Sequence, residues 1–169
     1  VDFIFARNVL AHVPKPMDFL DGMEKFMSQD TIGSVEFHYN KKIIDELHYD
    51  SIYHEHYFYY SIENIKFMLS KKNLNIFDLK ESPINKGNIA VYFSKRKLPN
   101  SILLNKYIEI EKNLDVNFKW RNFAKLSSKH CKDFINCLDK YENIIGFGSS
   151  ARSSTLLNFA KIDNNKIKK

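Results

Sequence analysis

The chain has 169 residues, of which 44% are hydrophobic and 14% aromatic; it can bury a core and is not a disordered composition. Its net charge of +6 is scattered lysine, since among 26 basic residues only Arg7, Arg96, Arg121 and Arg152 are arginine, and this argues against a nucleic-acid footprint. No apolar run is long enough to cross a membrane, and Cys131 and Cys137 form neither a metal-type pair nor a disulfide framework, which suits a reducing cytoplasm.

Val1 to Ala6 reads as a buried strand already under way, with no initiator Met and no signal peptide. Arg7 to Pro14 turns away from it, and Pro14 and Pro16 delay the next helix. From Pro16 the apolar residues Phe19, Leu20, Met23, Phe26 and Met27 recur at helical spacing. Asp30 to Gly33 reads as a turn, and Ser34 to Tyr39 as a second strand with Glu36 and His38 opposite Val35, Phe37 and Tyr39. A short amphipathic segment carries Ile43, Ile44 and Leu47, and leads into Asp50-Ser51-Ile52-Tyr53-His54-Glu55-His56-Tyr57.

Ser61 is a good N-cap with Asn64 three residues on, and the helix it opens ends near Asn73. Leu74 to Leu79 is a third strand, Pro83 to Gly87 a turn, and Asn88 to Phe93 a fourth strand. That return contains no helix, so the third and fourth strands should be antiparallel, while the earlier helical crossovers imply parallel neighbours. Arg96 to Asn100 is a polar, proline-bearing break. Ile102 to about Tyr141 is helical in character; Asn143 to Gly148 reads as a strand entering a glycine turn, and Ser149 to Lys161 as the helix after it. Because the chain opens on a strand and stops soon after a new unit begins, it is expected to be a piece of a longer protein.

The order strand, helix, strand, helix, strand, turn, antiparallel strand is the second half of a doubly wound α/β sheet, and such sheets bind ligands at the carboxyl ends of their strands. Arg7, Asn8 and His12 follow the first strand; Glu36, His38 and Tyr39 end the second; Tyr53 to His56 come a little later. Three loops should therefore converge on one edge. Histidines beside a carboxylate suit proton transfer near neutrality, and tyrosine hydroxyls can hold substrate oxygens. A His54-x-His56 pair on a strand also raises a metal alternative, with His12, His38 or His48 completing a set. His130, between Lys129 and Lys132, reads as solvated surface. Gly146-Phe147-Gly148-Ser149-Ser150-Ala151 fits a GxGxxG/A turn, which leaves open a nicotinamide or flavin site, a phosphate contact or a purely structural turn.

Three motifs in this order carry a resemblance. Arg7-Asn8-Val9-Leu10-Ala11-His12-Val13, then Tyr53-His54-Glu55-His56 with Tyr60-Ser61, then Gly146-Phe147-Gly148-Ser149-Ser150-Ala151-Arg152 running on to Thr155-Leu156-Leu157-Asn158 resemble the sugar C-methyltransferases. These are S-adenosylmethionine-dependent enzymes that methylate carbon 3 of a nucleotide-linked 4-keto sugar. The resemblance implies the carboxyl-terminal half of a class I, Rossmann-like methyltransferase sheet with an antiparallel last strand over residues 1–95. Residues 96–169 would be a helical connector and the start of a second Rossmann-like α/β domain. Zinc is implied only for an amino-terminal domain of the family, whose cysteines this chain lacks, as it lacks the glycine loop that holds the methyl donor. The chain by itself is therefore expected to be inactive.

By the same resemblance His56 is the general base, and His12 faces the keto sugar and stabilises the enolate. Glu55 sets the charge or orientation of the histidines, Tyr53 positions sugar oxygens, and Arg7 and Asn8 border the methyl donor. His54 holds the loop, on the opposite strand face from Glu55. A nucleotide-sugar substrate is implied, in the cytoplasm, with no nucleic acid or membrane; no protein partner is inferred. Departures fall at Asn85-Lys86-Gly87-Asn88, where a Gly-Gly pair after a histidine is usual, at Ala90 in place of a basic residue, and at Ser153-Ser154. The alternatives are a nicotinamide-dependent sugar-nucleotide oxidoreductase using the glycine turn and a non-catalytic, methyltransferase-like binding module. Which sugar, nucleotide and stereochemistry are involved, and the oligomeric state, have no signature in the sequence.

Overall fold

The computed structural model describes residues 1–82 and 87–168. In chain order the elements are β1 (Phe3–Arg7), α1 (Pro16–Lys25), β2 (Ile32–His38), α2 (Asn40–Asp45), α3 (Ile62–Ser70), β3 (Asn75–Glu81), β4 (Asn88–Ser94), α4 (Ile102–Lys112), α5 (Val116–Leu138) and α6 (Ala151–Phe159). Single 3-10 turns lie at Leu10–His12 and Tyr49–Ser51. The chain forms two compact units, Val1–Lys42 with Glu55–Leu114, and Ile43–His54 with Asp115–Lys169.

The first unit is built on a four-stranded sheet in the order β1-β2-β4-β3. β1 and β2 are parallel, with Ala6 opposite Val35, as a helical crossover requires. β4 runs antiparallel to β2 and to β3. The expected antiparallel pair is therefore present, but β3 is not the neighbour of β2, because β4 lies between them. Composition explains the order. Ile89, Val91 and Phe93 of β4 are fully buried, as suits a strand paired on both sides, whereas β3 ends in exposed Lys80 and Glu81, charges that an edge strand tolerates.

Gly33 is not a turn residue: it lies inside β2, opposite Phe93 of β4. A Cβ added there would stand 2.3 Å from Cε2 of the buried Phe93 ring, so glycine makes room for the aromatic. The core gathers Val35 and Phe37 of β2, Leu20 and Met23 of α1, Ile62, Ile65 and Leu69 of α3, the β4 residues, and Leu104 and Tyr107 of α4. The first unit thus continues past the polar break at Arg96–Asn100 to include α4. α3 starts where the sequence places it: Ser61 Oγ accepts from Asn64 N at 3.0 Å and the Asn64 side chain accepts from Ser61 N at 3.2 Å. The next orphan amides, Ile62 N and Glu63 N, donate to the Glu111 carboxylate of α4 at 2.8 and 2.9 Å. Asn73 takes the left-handed conformation after the helix, φ 54°.

In the second unit α5 is opened by Asp115, whose carboxylate accepts from Phe118 N at 2.9 Å. The strand expected over Asn143–Gly148 is reduced to one parallel bridge, Ile145 with Lys168. A strand needs neighbours for its backbone groups, and among the described residues only the Lys168 backbone meets this stretch. Gly148 has φ +98°, the region glycine serves, and Ser150 then caps α6 by accepting from Ser153 N at 3.1 Å. Among the described residues no helix is long and apolar enough to cross a membrane.

Candidate active site

Parallel β1 and β2 end side by side, and β4 begins at the same edge. The first residue past β1, Asn8, is held left-handed at φ 52°, which asparagine tolerates better than most side chains. Its N–H donates to Glu36 O at 2.9 Å and its Oδ1 accepts from Asn88 Nδ2 at 2.7 Å. Asn88 Nδ2 also donates to Glu36 Oε1 at 3.1 Å, and Arg7 Nε reaches the same oxygen at 3.3 Å. A carboxylate only accepts, so Glu36 fixes which end of the Asn88 amide faces it. The Glu36 side chain is 14% exposed and satisfied by two donors, one of them cationic.

The chain then makes the 3-10 turn Leu10–His12, and the stretch beginning at Glu55 lies alongside it. Tyr57 N donates to Ala11 O at 2.9 Å, Tyr60 Oη donates to Leu10 O at 3.3 Å, and His12 Nδ1 lies 3.1 Å from Glu55 O. The His12 and His56 rings meet edge to face with centroids 4.7 Å apart, and His56 is edge to face with Tyr59 at 5.8 Å. Burial raises the Tyr60 hydroxyl well above its ordinary pKa, which keeps it a neutral donor to Leu10. The stretch is irregular rather than a strand, so His54 and His56 are not placed on one strand face. Among the described residues no group of three His, Cys, Asp or Glu is arranged to hold a metal ion.

The structure therefore brings His12, Glu55 and His56 together, and Arg7 with Asn8, within the first unit. Glu55 meets His12 through its backbone carbonyl. Tyr53 and His54 belong to the second unit, where the preceding turn is well held. Tyr49 Oη is 2.8 Å from His130 Nδ1, and the Tyr49 ring packs against Phe159 with centroids 5.2 Å apart. His130 is thus a partnered surface residue rather than a merely solvated one. Burial, followed by the nearby Cys131 and Asp50, raises the Tyr49 pKa. Arg152 forks onto Asp50, Nε to Oδ2 at 2.8 Å and Nη2 to Oδ1 at 2.9 Å.

Sequence reasoning missed Asn88 as a clamp and Arg152 as the partner of Asp50. Asn88 was visible only as a departure from a familiar turn, and Arg152 only as the last letter of a glycine motif. Asn85 and Lys86, the other part of that departure, lie outside the described residues.

The model of the C-methyltransferase C-terminal domain family matches residues 83–169, just over half of the chain. A curated relative, C-methyltransferase NovU of Streptomyces niveus, is 25% identical over 89 residues, which is 53% of this chain and 21% of that protein. The match thus spans about a fifth of the relative's length.

Proposed function

This chain belongs to the C-methyltransferase C-terminal domain family, and from that premise we propose that it serves S-adenosylmethionine-dependent methylation of carbon 3 of a nucleotide-linked 4-keto sugar. The observation that carries the reading is the junction of His12, Glu55 and His56 at the strand-end edge of the sheet. The strand order β1-β2-β4-β3 supports it as the carboxyl-terminal half of a class I methyltransferase sheet, as do the exposed aromatics Phe3 and Phe5 on the edge strand β1, a face another layer can cover. In this reading residues 1–95 complete that domain, and residues 96–169 connect to and begin a second Rossmann-like domain.

A carbon beside a ketone is a weak acid, so its proton must leave before the carbon can attack. His56 removes it, a general-base role that contributes about 10²- to 10⁴-fold. His12, in contact with the His56 ring, faces the developing enolate oxygen, and Tyr53 holds sugar oxygens. S-adenosylmethionine, when bound, supplies the electrophilic methyl group. Arg7 and Asn8 fit the border of its site: Glu36 and Asn88 fix Asn8 at the tip of β1, and the Arg7 guanidinium keeps donors beyond its Nε contact.

The test is hydrogen exchange at the reacting carbon. The full-length protein that carries this chain is incubated with a nucleotide-linked 4-keto sugar in deuterated water, with and without S-adenosylmethionine. Deuterium enters carbon 3 with wild type and not with His56→Ala. Methyl transfer without any such exchange, or undiminished turnover by His56→Ala, refutes the enolate route through His56.

A further inference from the structure

We infer that Arg152 is a positioning residue for the segment Asp50–Tyr53, and that the motif Gly146–Arg152 serves methyl transfer by holding that segment. This rests on the proposed function and deepens it. The motif that ends at Arg152 and the turn that leads into Tyr53 stand about a hundred residues apart in sequence, and they meet in one unit through a planar, two-point contact between Arg152 and Asp50. A guanidinium–carboxylate fork fixes orientation as well as distance, which a single ammonium contact does not.

The fork has company. Asp50 is the middle residue of the turn Tyr49–Ser51, of which Tyr49 and Ser51 are buried. Tyr49 is tied to His130 of α5 and packed on Phe159 of α6, while Ser51 Oγ donates to His48 O at 2.6 Å. The turn is thus tied to α5 and α6 through Tyr49 and closed on itself by Ser51, with Arg152 holding its centre. Two residues later the chain reaches Tyr53, and then runs directly into Glu55 and His56. The glycines have a matching local role. Gly148 turns the backbone at positive φ, Ser150 caps α6, and Arg152 then stands in the first turn of that helix. Ser150 Oγ already accepts from Ser153 N and lies 2.8 Å from Ser153 Oγ. Ser150 and Arg152 of the motif are thus engaged in building the helix start and the fork.

The experiment compares full-length wild type with Arg152→Ala, Asp50→Ala, the double variant and Arg152→Lys. Amide hydrogen exchange is read by mass spectrometry, and methyl transfer is assayed from S-adenosylmethionine to a nucleotide-linked 4-keto sugar. Each alanine variant speeds exchange over residues 49–56 alone. It lowers kcat about tenfold, a fraction of what an ångström of misplacement costs, and leaves the KM for S-adenosylmethionine unchanged. The double variant is no slower than the slower single variant, because both remove one contact. Arg152→Lys recovers part of kcat. Unchanged exchange over residues 49–56, faster exchange across the whole chain, or multiplied losses in the double variant each overturn the positioning role. A wild type that transfers no methyl group refutes the proposed function instead, and exchange over residues 49–56 still decides the positioning.

Discussion

His12 Nδ1 lies 3.1 Å from the carbonyl oxygen of Glu55. A carbonyl can only accept, so this contact assigns a hydrogen to Nδ1 and leaves Nε2 as the outward nitrogen of the ring. Donation from Nε2 to an enolate oxygen then requires the doubly protonated ring, whereas the neutral ring offers a lone pair.

Two amide replacements separate the two ends of His12. In His12→Asn the short amide can keep the hydrogen bond to Glu55 O but has nothing at the Nε2 position. If Nε2 stabilises the enolate, His12→Asn lowers methyl transfer about 10²- to 10³-fold, the loss typical of one oxyanion donor. His12→Gln, whose amide reaches the Nε2 position, retains more activity. Equal activity in His12→Asn and wild type would reduce His12 to holding the Glu55 loop. Steady-state turnover of the full-length protein decides.

Gly33 faces Phe93 across β2 and β4 with no room for a methyl group. Gly33→Ala should therefore destabilise the protein by about 1–3 kcal/mol through overpacking against a ring that is fully enclosed. Urea midpoints measure this, and Phe93→Leu added to Gly33→Ala should recover part of the loss. A midpoint unchanged by Gly33→Ala would mean that the ring can move aside.

Alkaline stability should report two buried tyrosines. Tyr60 is raised above the ordinary 10.0 by burial, and Tyr107 by burial first and then by its hydrogen bond to, and the charge of, Glu81. Below the ordinary value both native and unfolded chains hold these protons, and the contribution is complete. As pH rises past it the unfolded chain releases protons that the native chain keeps, so stability falls until the native hydroxyls ionise in turn. Each tyrosine adds a slope of up to about 1.4 kcal/mol per pH unit. Urea unfolding from about pH 9 to about pH 11 should show the decline, and Tyr60→Phe and Tyr107→Phe should each flatten it. Equal slopes in wild type and both variants would contradict the assignment.

Local rules made much of the first unit legible. Ser61 and Asn64 announce α3 because a helix start must satisfy its own amides, and Asn73 marks its end because few side chains accept positive φ. The alternation of Val35, Glu36, Phe37 and His38 gives β2 its two faces. Glycine was less readable. Gly33 looked like a turn and is a strand residue under an aromatic ring, since nothing near it in sequence reveals Phe93.

Sequence alone was enough for the capped start of α3, for the residues that can carry protons, and for the family to which the motifs point, but not for the start of β2 at Ile32 or for the stretch Asn143–Gly148, which is not a strand. The properties it settled depend on neighbours within a few residues. Only the tertiary structure decided that β4 enters between β2 and β3, that Glu55 meets His12 through its carbonyl, that Asn88 clamps Asn8, and that Arg152 holds Asp50. The partners in these last three contacts lie 43, 80 and 102 residues apart. Such pairs are chosen by how buried apolar faces fit together, and a single chain's pattern does not state that fit until it is folded.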